Sequence, residues 1–201
     1  MGTTNTNKQI IESYEDKLKS GIMLKRINDH IERVIYFYAQ LAKSGIIPEQ
    51  DINYKEVLEH DLDKLEPENL VKQCLRLADG DKLSDEDIDE INAVVRKHVK
   101  TNRHHCEYWG KSTDDHNTVG VHCEKMPDRY IYEMMADWAS TAEEKGTKII
   151  DWYNKCVDSR WFFSEHQKNI MLKSIEFLDK QLEPMRKRDY GFKYIDPAKL
   201  K

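Results

Sequence analysis

Val57-Leu58-Glu59-His60-Asp61-Leu62-Asp63-Lys64-Leu65 is the stretch around which the rest of the 201-residue sequence is organised. The adjacent pair His60-Asp61 combines an imidazole, which suits borderline divalent cations, with a carboxylate that can bridge two of them. The spacing of the apolar residues predicts one helix over about residues 54–65. Lys64 follows His60 by four residues, so on such a helix both side chains share a face. The stretch therefore predicts a metal site with a cation beside it.

Further histidines and an aspartate extend this pair into a larger set of metal ligands. His30 lies in the middle of a predicted helix, and Asp137 stands among apolar residues, where an unpaired carboxylate would be costly to bury. A mononuclear site needs only about four protein ligands, so the size of the set predicts at least two ions. The predicted ligands are His30, His60, Asp61, His98, His104, His105 and Asp137.

The region that follows His98 needs a break in its helix if it is to supply all its histidines. In an unbroken helix His105 would share the face of His98, whereas His104 would be displaced by about 120°. A break near Asn102 would let both members of the doublet reach the metals. Glu133 precedes Asp137 by one helical turn and is predicted to orient a ligand or a water from behind.

Four basic residues near the predicted site favour an anionic, phosphorylated substrate over a neutral one. Lys64 is the first candidate for holding a phosphate oxygen, and the sequence after the motif adds Lys97, Lys100 and Arg103. Each of these three is also the ordinary residue of a solvated helix face. The predicted substrate-binding residues are therefore Lys64, as the first candidate, and Lys97, Lys100 and Arg103, as weaker candidates.

The ligand order resembles that of the HD superfamily of metal-dependent phosphohydrolases, whose ligands come as His, His-Asp and Asp on separate helices. Residues 60–64 look like the HDxxK variant of its motif. The added histidines are similar to those of the HD-GYP branch and of the HD-type di-iron oxygenases. No Gly-Tyr-Pro follows the doublet His104-His105, however, and the doublet comes only six residues after His98. The whole chain also looks like a small uncharacterised HD-like family of phages and bacteria, over roughly residues 22–165.

This resemblance implies an all-α, HD-like helical bundle of seven to nine helices, with Asp61 and Asp137 meeting at one metal. It implies hydrolysis of a phosphate ester in a nucleotide or small phosphorylated metabolite by a metal-activated water, with Asp61 and Lys64 as catalytic residues. Two alternatives stay open: a mixed-valent di-iron oxygenase, and an inactive metal-stabilised scaffold that binds a nucleotide or a protein partner. Imidazole-carboxylate sites accept iron, manganese, nickel and zinc, so the metal is not selected.

The chain divides into three parts by its helical pattern. Residues 1–21 form an N-terminal extension with a short helix that Gly21 can end, residues 22–183 the metal-binding domain, and residues 184–201 a basic tail. No strand pattern is evident. The polar connection over residues 110–128 has the length and composition of a lid or substrate loop, and His116, His122 and Cys123 there lack a fourth zinc ligand.

Composition excludes several classes of protein. The net charge is −5 with both signs mixed, which argues against binding of extended nucleic acid. No apolar run is long enough to cross a membrane, and the polar start lacks the apolar core of a signal peptide. We therefore expect a cytoplasmic protein with four reduced cysteines. A homo-oligomer remains open.

Overall fold

The long helix α1 (Thr3–Lys43) is the spine of the structure, a computed structural model that describes residues 3–74, 83–110 and 120–182, with side chains from residue 19 onward. Seven further α-helices follow in this part of the chain, which forms a single all-α domain as expected from the sequence. They are α2 (Tyr54–Leu58), α3 (Pro67–Cys74), α4 (Asp85–Thr101), α5 (Cys106–Trp109), α6 (Asp128–Lys145), α7 (Ile149–Cys156) and α8 (Glu165–Leu178).

Helix α1 runs unbroken through Gly21, so the prediction that this glycine ends a first short helix is wrong. A glycine lowers helix stability by only about 1 kcal/mol relative to alanine, which tertiary packing can outweigh. The buried stripe Met23, Ile27 and Ile31 follows directly and packs against Leu65 and Leu70. A glycine signal alone was too weak to mark the helix end.

The main core lies between α1, α6 and α8. Val34, Phe37 and Leu41 on α1 are fully buried against the apolar face of α6, and Met171 and Leu178 of α8 close the core from the other side. Each fully buried side chain of this size contributes about 1.5–3 kcal/mol of hydrophobic stabilisation. Helices α1 and α6 are therefore held in a fixed relation, and both carry candidate metal ligands.

The ends of the later helices follow their capping residues. Ser84 and Asp87 form a reciprocal capping box at the start of α4, and Ser164 and Gln167 do the same for α8. Helix α6 ends at Gly146, which adopts the left-handed conformation that glycine accommodates without strain.

A two-stranded parallel sheet joins two connections, contrary to the expectation that no strand is present. Strand β1 (Val121–His122) pairs with β2 (Trp161–Phe162), Val121 lying opposite Trp161. Strands of two residues are too short to show the alternating pattern by which a sequence announces a strand. The pairing fixes the end of the polar connection against α7 and α8. Gly110 packs so closely here that a Cβ would clash with Val121.

Two predicted features lie outside the described residues: the middle of the polar connection with His116, and the basic tail 184–201. Within the described residues, no helix combines the length and apolar character needed to cross a membrane. Cys74, Cys106, Cys123 and Cys156 are all free thiols.

Candidate metal centre

The motif does not form the regular helix that its sequence predicted. Helix α2 ends at Leu58, Asp61 adopts a left-handed conformation with φ 57°, and a 3₁₀ turn covers Leu62–Leu65. Aspartate is one of the few residues besides glycine that tolerate this conformation. The reversal at Asp61 buries both His60 and Asp61, which are 2% and 1% exposed. Backbone geometry rather than a shared helix face therefore brings the pair into the site.

The break expected near Asn102 is present. Helix α4 ends at Thr101, Asn102 is extended, and its side-chain amide donates a hydrogen bond to the carbonyl of His98 at 2.9 Å. The chain then turns so that His104 and His105 both point back toward His98, with ring centroids 6.1 and 4.7 Å away. The interruption accounts for the doublet, because an unbroken helix would have separated its two rings.

Asp61 lies at the middle of the cluster and reaches both of its sides. Its Oδ2 is 3.2 Å from His30 Nε2 and 3.5 Å from His60 Nε2. Its Oδ1 is 3.2 Å from His98 Nε2 and 3.5 Å from His104 Nε2. The carboxylate is therefore placed as a bridge, with one oxygen on each side.

Three groups of candidate ligand atoms lie here, the atoms of each group within 4.8 Å of one another, and one of them combines Glu133 with His60 and His104. Asp137 Oδ1 is 3.1 Å from the same His30 nitrogen that Asp61 approaches, so both carboxylates contact one imidazole. All seven predicted ligands are brought together. The first group is His30, His60 and Asp137, and the second is Asp61, His98, His104 and His105.

Four of these atoms are buried without a hydrogen-bond partner: Nε2 of His30, His60 and His104, and Oδ1 of Asp61. Each unsatisfied buried polar atom costs about 1–3 kcal/mol, and here all four face the same centre. Imidazole nitrogens and carboxylate oxygens are the donors that divalent transition metals prefer. The buried donor set thus fits one or more metal ions.

A second set of side chains orients the histidine rings from behind. Glu133 Oε1 accepts hydrogen bonds from Nδ1 of both His60 and His104, at 2.9 and 3.2 Å. Asp63 accepts from His98 Nδ1 at 2.9 Å, and Ser140 Oγ lies 2.9 Å from His30 Nδ1. Each contact engages Nδ1 and leaves Nε2 directed at the centre, the arrangement typical of metal-binding histidines.

The structure places Glu133 behind the ligands, where the sequence put it, but the sequence analysis missed Asp63 and Ser140. Asp63 stands inside the motif, two residues after Asp61, and only the backbone reversal reveals its contact with His98. Ser140 lies on the face of α6 that packs on α1 and is fully buried. Its helical spacing from Asp137 was the signal that could have found it.

Strong electrostatic coupling runs through the cluster. Burial lowers the pKa of His104, but the neighbouring carboxylates of Asp61 and Glu133 favour its protonated form more strongly and raise the pKa to about 10. Burial raises the pKa of Glu133, but the hydrogen bonds from His104 and His60 bring it to about 2. The pKa of His105 is lowered well below its usual value by burial and by the neighbouring imidazoles. Protons and metal ions therefore compete for the same atoms.

A cavity of about 240 Å³ adjoins the cluster. His30, His98, His105 and Asp137 form its metal side, and Ile91 belongs to an aliphatic wall that continues along α4. Lys64 also lines the cavity and forms an ion pair with Asp61 Oδ2. The described basic residues that line it are Arg26, Lys64, Lys72 and Lys145.

Three of the four predicted phosphate-binding residues do not line this cavity. Lys97 is on the surface, with Nζ 3.8 Å from Glu66, and Lys100 is exposed. The Arg103 guanidinium donates to the hydroxyl of Tyr130 at 2.9 Å. Lys97 and Lys100 lie on the exposed face of α4, and Arg103 lies in the turn after it, whereas the break at Asn102 directs His104 and His105 toward His98. Arg26, Lys72 and Lys145 take their place, and sequence spacing gave no signal for them.

In comparison with known proteins, a family described as "Family of unknown function (DUF5662)" matches residues 20–183, which include every candidate ligand. No curated protein and no solved structure matches the chain.

Proposed function

The chain belongs to this family of unknown function, and we propose that it is a metal-dependent phosphohydrolase or phosphodiesterase acting on a nucleotide or small phosphorylated metabolite. One observation carries the proposal. Buried and unpartnered imidazole nitrogens converge on a central carboxylate, at the edge of a cavity that basic side chains line. Such a donor set suits metal binding, and such a cavity suits a phosphate ester.

The ligands divide naturally between two ions. His30, His60 and Asp137 with one oxygen of Asp61 would hold the first, and His98, His104 and His105 with the other oxygen would hold the second. Bound ions of this kind acidify a water molecule and neutralise negative charge on phosphoryl oxygens.

The residues of the chain have separate tasks around that centre. Lys64 is 24% exposed and has three donor hydrogens, so it can keep its ion pair with Asp61 and donate to a non-bridging phosphate oxygen. Asp61 holds the two ligand groups together. The aliphatic side chains of Ile91 and Val99 line the same cavity, and apolar walls of this kind reduce the access of water to a bound substrate.

A screen of mono-, di- and cyclic nucleotides with manganese, nickel or iron tests the proposal. We expect phosphate or monoester release that a His60→Ala/Asp61→Ala variant loses completely. The matched control is His166→Ala/Asp128→Ala, since this pair is also a histidine-aspartate contact, at 2.7 Å, but lies on the surface. The control should hydrolyse like the wild type.

Three results would overturn the proposal. Phosphate release that survives the loss of His60 and Asp61 would show that the activity comes from elsewhere. Oxygen consumption with reduced iron, without hydrolysis of any nucleotide, would indicate the oxygenase alternative. Tight binding of one nucleotide without turnover under any metal would indicate the scaffold.

A further inference from the structure

A second cavity, of about 260 Å³, also adjoins the candidate metal centre, since His105 and Asp137 belong to its lining. Its walls are aromatic, since Trp138, Trp152 and Trp161 all line it. It shares with the first cavity the residues Val99, His105, Asp137, Thr141 and Lys145. The two cavities therefore adjoin, and the predicted metal ligands His105 and Asp137 belong to both.

Neither cavity alone has the size usual for a small-molecule site, which is about 300–1,000 Å³. A ligand of nucleotide size that reaches the metal centre would therefore have to occupy both. The two lobes differ in character, because aliphatic and basic residues line the first and indole rings line the second. This difference suits a ligand with an anionic end and a flat aromatic end.

Trp152 is the indole best placed to contact such a ring. Trp161 is already covered, since Trp138 stacks on it at 5.7 Å and the Arg160 guanidinium lies 4.7 Å from its centroid. Trp152 is only partly buried and meets Trp161 edge-on, with centroids 6.2 Å apart. The Lys155 ammonium lies over its ring at 5.3 Å from the centroid, but no second aromatic ring stacks on it among the described residues. Indole faces bind planar rings by stacking, with little dependence on the identity of the ring.

Two lysines provide positive charge between the lobes. Lys145 lines both cavities, and Lys148 lines the aromatic one. Among the residues that the structure describes, the ammonium group of neither lysine has an ion-pair or hydrogen-bond partner. Lys64, by contrast, is held by Asp61. Lys145 is thus a cation between the two cavities, and Asp137 also lines both of them.

We propose that the aromatic cavity binds the planar ring of a phosphorylated substrate, with Trp152 against the ring and Lys145 beside the phosphate at the metal edge. This inference rests on the proposed function and narrows its substrate class to phosphate esters that carry an aromatic ring, such as nucleotides. Sugar phosphates without an aromatic ring would occupy only the first cavity.

Equilibrium binding to the metal-loaded protein tests the inference without turnover. The probes are the phosphonate analogues of adenosine 5′-monophosphate and of ribose 5-phosphate, whose carbon-phosphorus bond resists hydrolysis. Calorimetry gives both affinities, and intrinsic fluorescence reports ring binding because three of the four tryptophans line the cavity. We expect the adenosine analogue to bind at least about tenfold tighter, in keeping with the energy of base stacking.

Variants separate the ring contact from the phosphate contact. Trp152→Leu should remove the preference for the adenosine analogue and leave binding of the ribose analogue unchanged. Lys145→Met should weaken both analogues to a similar degree. Trp109→Leu is the matched control, since Trp109 is partly buried but lies outside the cavity, and it should bind both like the wild type.

Equal affinities of the two analogues for the wild type would overturn the inference, and so would a Trp152→Leu variant that keeps the preference. The outcomes distinguish this inference from the proposed function. Hydrolysis of esters without an aromatic ring, unaffected by Trp152→Leu, would support the hydrolase function and exclude the aromatic-ring site. Ring-dependent binding without hydrolysis of any nucleotide would keep the ring site and exclude the hydrolase.

Discussion

The two sides of the metal centre are positioned by different means. The helical side consists of residues on α1 and α6, and the packing of two long helices sets their places: His30, Glu133, Asp137 and Ser140. On the junction side the ligands follow the ends of short or interrupted helices, and single backbone conformations set their places: His60, Asp61, His104 and His105. The comparison teaches that the first side depends on the core and the second on particular residues.

The bridging residue on the junction side should be the most sensitive position. Asp61→Asn keeps the size of the side chain and the tolerance for a left-handed backbone, but it removes the charge that both ligand groups share. We expect the variant to retain neither ion after gel filtration, as measured by elemental analysis. Asp158→Asn is the matched control, because Asp158 also has a positive φ, of 60°, but is remote from the cluster. Normal metal content in Asp61→Asn would refute the bridge.

Removing one histidine from each side should cost one ion each. His30→Ala on the helical side should leave the second ligand group loaded, and His105→Ala on the junction side should leave the first. The metal content measured by elemental analysis should therefore fall from two ions per chain to one in both variants. One tightly held ion in the wild type, unchanged in His105→Ala, would reduce the centre to a mononuclear site.

A smaller effect is expected for the residue that links the two sides. Glu133 lies on α6 but accepts hydrogen bonds from His60 and His104 on the junction side. Glu133→Gln should weaken metal affinity about 10–100-fold, the usual cost of losing such support, as measured by competition with a chelator. Glu124→Gln is its control, since Glu124 accepts from His122 Nδ1 at 3.1 Å on the surface. Equal affinities of both variants would show that Glu133 does not orient ligands.

The smallest effect concerns the pH dependence of the metal-free protein. The pKa of His104 is raised from 6.5 to about 10, so its protonation stabilises the fold fully below pH 6.5, and this contribution is lost as the pH rises toward 10. The pKa of Glu133 is lowered from 4.5 to about 2, so its contribution is present above pH 4.5 and is lost as the pH falls toward 2.

Thermal unfolding in the presence of a chelator measures this dependence. We expect the melting temperature to fall by a few degrees as the pH rises from 6.5 toward 10. It should also fall on acidification, because the lowered pKa values of His105 and Glu133 both cost stability there. The metal-loaded protein should not show the alkaline fall, because its ligands are already deprotonated. A flat profile for the metal-free protein over pH 6.5–10 would contradict the coupling between His104 and its carboxylates.

The same contrast explains what the sequence could predict. Periodic apolar residues predicted the helices, and the residue types together with their order along the chain indicated the seven predicted ligands, which lie close together in the structure. The helical side followed directly, because a buried aspartate such as Asp137 requires a partner. On the junction side the break at Asn102 was predicted, since His104 and His105 could not otherwise share a site.

The rest depended on single backbone conformations that have little sequence signal. The left-handed Asp61 interrupts a stretch with good helical periodicity, so the motif helix was predicted where none continues. The basic residues were chosen for nearness in sequence, whereas Lys145 reaches the cavity from the far end of α6. Two-residue strands and cavity walls arise only from tertiary packing, which local patterns do not encode.

The contact between His30 and Ser140 joins residues 110 positions apart in the chain. During synthesis, the first ligand leaves the ribosome long before α6 exists, and no partial chain ending before Asp137 can close the first ligand group. Closure of the first ligand group is therefore a late event that follows the docking of α6 on α1. Such long-range closure is slow and leaves apolar surface exposed meanwhile, so an ion held by this group would report completed folding, whereas the second group could close earlier.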